Sequence, residues 1–142
     1  MKKTIAVTVG VAAATLVALA PGVATASPSE PTTGDTIRYE FISNHQINDS
    51  IYWYDAWGDG RRFPEEVDRK VRFNSSYRNS DGDRMWIASQ TVTARSTHQL
   101  VGSYISADYE SASQNYVACK TYVNGTLVAS KYATGKYATA YC

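Results

Sequence analysis

Several things are scarce in this sequence of 142 residues, and each scarcity closes off a class of function. There are two histidines, His45 and His98, far apart in the chain and near expected loops or strand ends. His45 has Asp49 nearby, and His98 has Ser96 and Thr97, but a catalytic triad is made by the fold and not by neighbours in sequence. Two cysteines and two scattered histidines do not supply the ligands of a structural zinc site. No glycine-rich phosphate loop occurs, so no nucleotide cofactor is expected. "NSDGDR" (79–84) has the look of a calcium loop, but its glycine is misplaced and position twelve is Gln90 instead of Glu. A polar turn is the expectation there. These absences together point to a protein that is not an enzyme and carries no cofactor or metal.

Basic excess is lacking too. Without Lys2 and Lys3 the fourteen Lys and Arg become twelve, against thirteen Asp and Glu, for a formal charge of −1. A nucleic-acid binder would show a basic stripe. The densest charged stretch, "RRFPEEVDRKVR" (61–72), mixes both signs and reads as a solvated loop or edge. Heptads, internal repeats and helical apolar periods are absent from the body of the chain.

The one long apolar run lies at the N-terminus. Met1-Lys2-Lys3 precedes Ile5–Ala20, then Pro21-Gly22, then Val23-Ala24-Thr25-Ala26-Ser27. A basic start, a short apolar segment, a helix-breaking pair and an Ala-x-Ala site make a secretory signal peptide over 1–26, cleaved between Ala26 and Ser27. The alternative is an uncleaved membrane anchor, which would want about 20 strongly apolar residues. Either way the remainder is extracytoplasmic, secreted or held in the cell envelope. In an oxidising compartment Cys119 and Cys142 are most simply one disulfide, with a free thiol pair or an intermolecular link as the alternatives. Such a bridge would pin the final strand, the one most prone to fray.

What is abundant is aromatic. Eleven Tyr, three Trp and three Phe all fall after residue 27. After a linker at 27–35, "SPSEPTTGD", residues 36–142 alternate with period two in several places. Ile37, Tyr39 and Phe41 alternate with Arg38 and Glu40. In "SIYWYDAWGDG", Ile51 and Trp53 share one face, and Tyr52, Tyr54 and Ala56 the other. Residues 85–94 and 100–109 read as two more strands. Asn124-Gly125 between alternating runs predicts a type I′ hairpin, and a second turn falls at Thr134-Gly135. In a plain meander the strands holding the two cysteines are not neighbours, so the bridge predicts that the last strand bends onto a second sheet. About seven antiparallel strands without helix predict an immunoglobulin-like β-sandwich. Sequons at Asn48, Asn74 and Asn124 are assigned no function. Tyr52 and Tyr54 are the candidate partner-binding surface: one face of their strand enters the core, and phenols left on the other suit a partner, a lipid or a glycan.

"CKTYVNG" (119–125) and a terminal strand ending in Cys142, with Tyr137-Ala138 before it, resemble the C-terminal signature of the MmpS family. "IRYEF" (37–41) is similar to that family's first strand, and "IYWYDAWG" (51–58) to its I-x-Y-x-D-x-x-G strand and turn. Met85 and Asp108 stand where the family tends to have the Pro before Trp86 and a Gln in "ISADY" (105–109). The resemblance spans most of 36–142 and is most specific over the last 24 residues. It implies a β-sandwich outside the cytoplasmic membrane, acting as a non-enzymatic helper of an MmpL-type transporter of the RND class that exports lipids or siderophores. Family members are usually held by an N-terminal helix, where this chain reads as a cleavable signal. A secreted β-sandwich binding module, inhibitor-like or adhesin-like, is the alternative.

Overall fold

The computed structural model describes residues 30–46, 51–63, 73–107 and 114–142. The signal segment with Ala26 and Ser27, and also Asn48, Asp49 and Asp108, lie outside the described residues. Among the described residues there are nine strands: β1 (Thr36–Ser43), β2 (Ile51–Tyr54), β3 (Gly60–Phe63), β4 (Ser75–Arg78), β5 (Arg84–Thr93), β6 (Tyr104–Ser106), β7 (Asn115–Val123), β8 (Thr126–Gly135) and β9 (Thr139–Tyr141). They form two sheets, β4-β5-β1-β7-β8 and β3-β2-β6-β9, in which every pairing is antiparallel. The protein is a β-sandwich.

The alternation seen in the sequence is what builds it. Ile37, Tyr39 and Phe41 point inward from β1 and have no exposed surface. Facing them from the second sheet are Ile51 and Trp53 of β2, Ile105 of β6, and Ala138 and Ala140 around β9. Val117, Cys119 and Val123 of β7 complete the layer. Strand residues alternate sides with period two, so Arg38 and Glu40 are left outside, where they pair with each other. Arg38 also lies over the Tyr122 ring, 4.0 Å from its centre. At the end of β1 the alternation stops, because Ile42 is buried on the outer face in a small separate cluster with Met85 and Ala118.

The hairpin forms as expected. Asn124 and Gly125 have φ of 50° and 81°, the positive values a type I′ turn requires. Asn124 does more than turn the chain: its Oδ1 accepts the amide of Thr36 at 2.9 Å, and its Nδ2 donates to Asp35 at 2.8 Å. The hairpin tip is thereby tied to the start of β1. On the exposed edge strand β8, Lys131 is paired in register with buried Cys119 and so sits on the inward side. A charge there discourages a further strand from adding.

The expected cysteine bridge is present. Cys119 of β7 is joined to Cys142 just beyond β9, with Cα atoms 6.1 Å apart. It links the two sheets, and β9 has left the β7–β8 hairpin to pair with β6 in the other layer. Cys142 also exchanges two backbone hydrogen bonds with Ser103, at 2.8 and 3.0 Å. Beside the bridge, the buried hydroxyls of Ser103 and Thr121 meet at 3.3 Å.

Three details differ from expectation. The described residues hold nine strands, not about seven, because the 61–84 region contributes part of β3 and all of β4; both run at sheet edges, where the apolar pattern is weak. Residues 30–35 are not a loose linker: Pro31 is fully buried, and Gly34 donates to Ala94 at 2.8 Å. The strand order also departs from an immunoglobulin constant domain, whose first two strands share a sheet. Here β1 is hydrogen-bonded on both edges, by β5 and β7, so β2 joins the opposite layer.

The bridge closes a loop across 23 residues, for which the chain-entropy model gives about 3 kcal/mol. Cys142→Ser should lower the unfolding free energy by about that amount. The double variant Cys119→Ser/Cys142→Ser should lose little more. Urea unfolding with and without reductant measures both.

Candidate functional site

Strand β2 presents Ile51 and Trp53 to the core and Tyr52 and Tyr54 to the outside, half-buried. The pairing register then decides what stands beside them. Tyr52 is opposite Arg62 of β3 on one side and Tyr104 of β6 on the other, and Tyr104 is opposite Tyr141 of β9. Residues opposite one another in an antiparallel pair share a face. Arg62, Tyr52, Tyr104 and Tyr141 therefore form one row across all four strands.

The rings touch along that row. Tyr52 and Tyr104 are within 5° of parallel with centres 5.4 Å apart, an offset stack. Tyr104 and Tyr141 follow at 5.6 Å and 50°. Tyr54 meets Tyr52 edge-on at 5.3 Å and 84°. Each such pair contributes on the order of 1 kcal/mol beyond its buried area. Tyr141 at the end of the row is 68% exposed.

One glycine makes room for a ring of the row. A Cβ built on Gly60 would lie 2.7 Å from Cζ of Tyr52 and collide with its hydroxyl, so Tyr52 lies across β3 only because position 60 has no side chain. A Cβ on Gly102 would come within 3.4 Å of the Tyr54 ring. The β2–β3 turn that sets this register is held by Asp55. One carboxylate oxygen accepts the amides of Trp57 and Asp59 at 2.8 and 3.1 Å, and the other takes Arg61 Nη2 at 2.6 Å. Partial burial pushes the Asp55 carboxyl up, but Arg61 and the two amides outweigh it and leave the group below the usual carboxylate range.

The phenols of Tyr52 and Tyr54 are linked to each other. A hydrogen bond to Tyr54, with some burial, raises the Tyr52 phenol above its ordinary value. Beneath them, from the other sheet, Tyr39 is fully buried with its hydroxyl 3.5 Å from the Leu100 carbonyl. Burial raises the Tyr39 phenol strongly.

The other candidates do not gather. His45 follows the end of β1, where its amide donates to Ser43 Oγ. His98 lies with Pro31 in a shallow concavity of about 570 Å³, beyond the start of β1. The eight residues of β1, on the order of 25 Å of strand, separate the two. In the 79–84 loop Asn79 Oδ1 accepts the amides of Asp81 and Asp83, which makes a polar turn as expected. Among the described residues no cluster of His, Cys, Asp or Glu could hold a metal ion.

No family model matches this chain, and no curated protein or solved structure matches it either. The site is therefore read from its own geometry. Tyr52 and Tyr54 were legible as outward residues of one strand. Tyr104 and Tyr141 were not, since they sit 50 and more residues away and join the row only through register. Gly60 reads in sequence as a turn residue; its service to Tyr52 is invisible there.

Two variants probe this geometry. Gly60→Val should displace Tyr52 and destabilise the protein by about 1–3 kcal/mol, the usual range for overpacking; a changed near-ultraviolet tyrosine signal would report the displaced ring. For Tyr39 the sign follows from its raised folded value. The unfolded phenol ionises near pH 10, about its ordinary pKa, while the folded one stays neutral. Stability is intact below that pH and falls as pH rises above it. Urea midpoints taken from neutral into the alkaline range should show this loss, and Tyr39→Phe should shallow it.

Proposed function

We propose that this protein is a non-enzymatic, extracytoplasmic binding module that presents the tyrosine row of its four-stranded sheet to a component of the cell envelope. The observation that carries this reading is the row itself. Four strands contribute to it, its rings are in contact, and Gly60 leaves the space that Tyr52 fills. Isolated surface aromatics are ordinary; an aligned and prearranged set is not. Rings already fixed lose little freedom on binding, which favours affinity. The signal-like N-terminus supports an address outside the cytoplasm, and the Cys119–Cys142 bridge is consistent with an oxidising one.

The resemblance to MmpS proteins favours a narrower version, in which the module serves an RND-type exporter of lipids or siderophores. Cys119, Val123-Asn124-Gly125 and Cys142 support it. In that version the envelope component is the transporter, and residues 5–26 would serve as the anchor that keeps the domain beside it.

Intact mass and fractionation of the protein from its own cells separate the two versions. The free module is expected in the medium, at the mass of residues 27–142 less two hydrogens. The transporter helper is expected at full length in the membrane fraction. Protein recovered this way should co-sediment with isolated envelopes, and Tyr141→Ala should weaken that at least fivefold. Equal sedimentation of Tyr141→Ala and the parent protein would remove the tyrosine row from the function.

A further inference from the structure

We infer that the tyrosine row is a binding strip for a linear, uncharged polysaccharide lying across the strands of the four-stranded sheet. This rests on the binding-module reading and names the ligand class of the same surface.

The chemistry of the face argues for it. The outward positions of β2, β3, β6 and β9 are Tyr52, Tyr54, Gly60, Arg62, then Tyr104 and Ser106, then Thr139 and Tyr141. Every side chain among them is a phenol or a hydroxyl, apart from one guanidinium at the end of the row. Among these described positions there is no aliphatic side chain for an acyl chain to pack on. A single cation is too little for a phosphate polymer, whose binders neutralise many charges.

A sugar ring, in contrast, has an apolar face of axial C–H bonds and a rim of hydroxyls. The strip offers the matching pair. The exposed ring of Tyr141, which ends the stack, receives the C–H face, and phenolic oxygens, together with the Ser106 and Thr139 hydroxyls beside the row at 2.8 Å from each other, meet the rim. Neutral hydroxyl-to-hydroxyl bonds need no compensating charge. Shape agrees with this. Three inter-strand spacings of about 4.8 Å make the row roughly 15 Å long, with Tyr54 standing beside Tyr52. A straight, prearranged strip suits an extended chain and not a compact ligand.

The test is native electrophoresis of the protein through gels containing hydroxyethylcellulose, glucomannan, laminarin, linear mannan or dextran, with heparin as the charged control. At least one neutral polymer should retard the protein. Tyr141→Ala, at an exposed position next to the C-terminus, should weaken that retardation tenfold or more, as should Tyr104→Ala. Tyr132→Ala, 71% exposed on the opposite sheet, should not change it. No retardation by any neutral polymer, retardation by heparin alone, or retardation that survives both row variants overturns the inference. If the row variants abolish envelope co-sedimentation while no neutral polymer retards the protein, the polysaccharide assignment fails and the binding module stands. If the variants alter neither, both fail.

Discussion

Strand β1 is hydrogen-bonded along its whole length on both edges, to β5 and to β7. Backbone groups buried in a sheet must be paired, and with both edges of the first strand taken by β5 and β7, the second strand finds its partners in the other layer. The chain therefore crosses at once to the opposite sheet. Three hairpins, β2–β3, β4–β5 and β7–β8, then fill the layers from their outer sides. The core is the consequence: the inward residues of β1 face those of β2, β6 and β9 across the gap. Lysine on the β8 edge and the short strands elsewhere limit further pairing.

The tyrosine row depends on this arrangement at one remove. Its members come from four strands that the order of crossing sets side by side, so the row exists only if β6 lies between β2 and β9. That last placement is secured by the disulfide, which holds the end of β9 against β7 while β9 itself pairs with β6. Stability and surface are thus linked through Cys142: the residue that closes the sandwich is adjacent to Tyr141, the exposed end of the row. Asp55 plays the matching part at the other side, because the turn it holds fixes which residue of β3 lies under Tyr52.

The residues that carry the resemblance to MmpS proteins turn out to be architectural. Asn124 and Gly125 make the type I′ turn and tie it to β1. Asp55 and Gly58, the latter at φ 81°, make the β2–β3 turn. Cys119 and Cys142 clamp the sheets. Residues in these roles hold a fold together, whatever surface lies between them. The residues that would meet a partner lie elsewhere, on the outward faces between these turns.

Much of the framework was legible in the sequence for local reasons. Period-two alternation marked β1, β2, β5 and β7. Asn-Gly marked the hairpin, because its positive φ values are a property of those two residues alone. The cysteines implied a bridge and, with the meander, a change of sheet. Other features had no local signature. β3 and β4 run at sheet edges, where one face and one side meet solvent and the apolar pattern is weak. Pro31 is buried by packing that its own neighbours do not foretell. For the site, the sequence determined which way Tyr52 and Tyr54 point, since side-chain direction alternates along any strand. Only the tertiary structure decided that Tyr104 and Tyr141 stand beside them, because pairing register between distant strands is set by the whole sandwich and by no single stretch of chain.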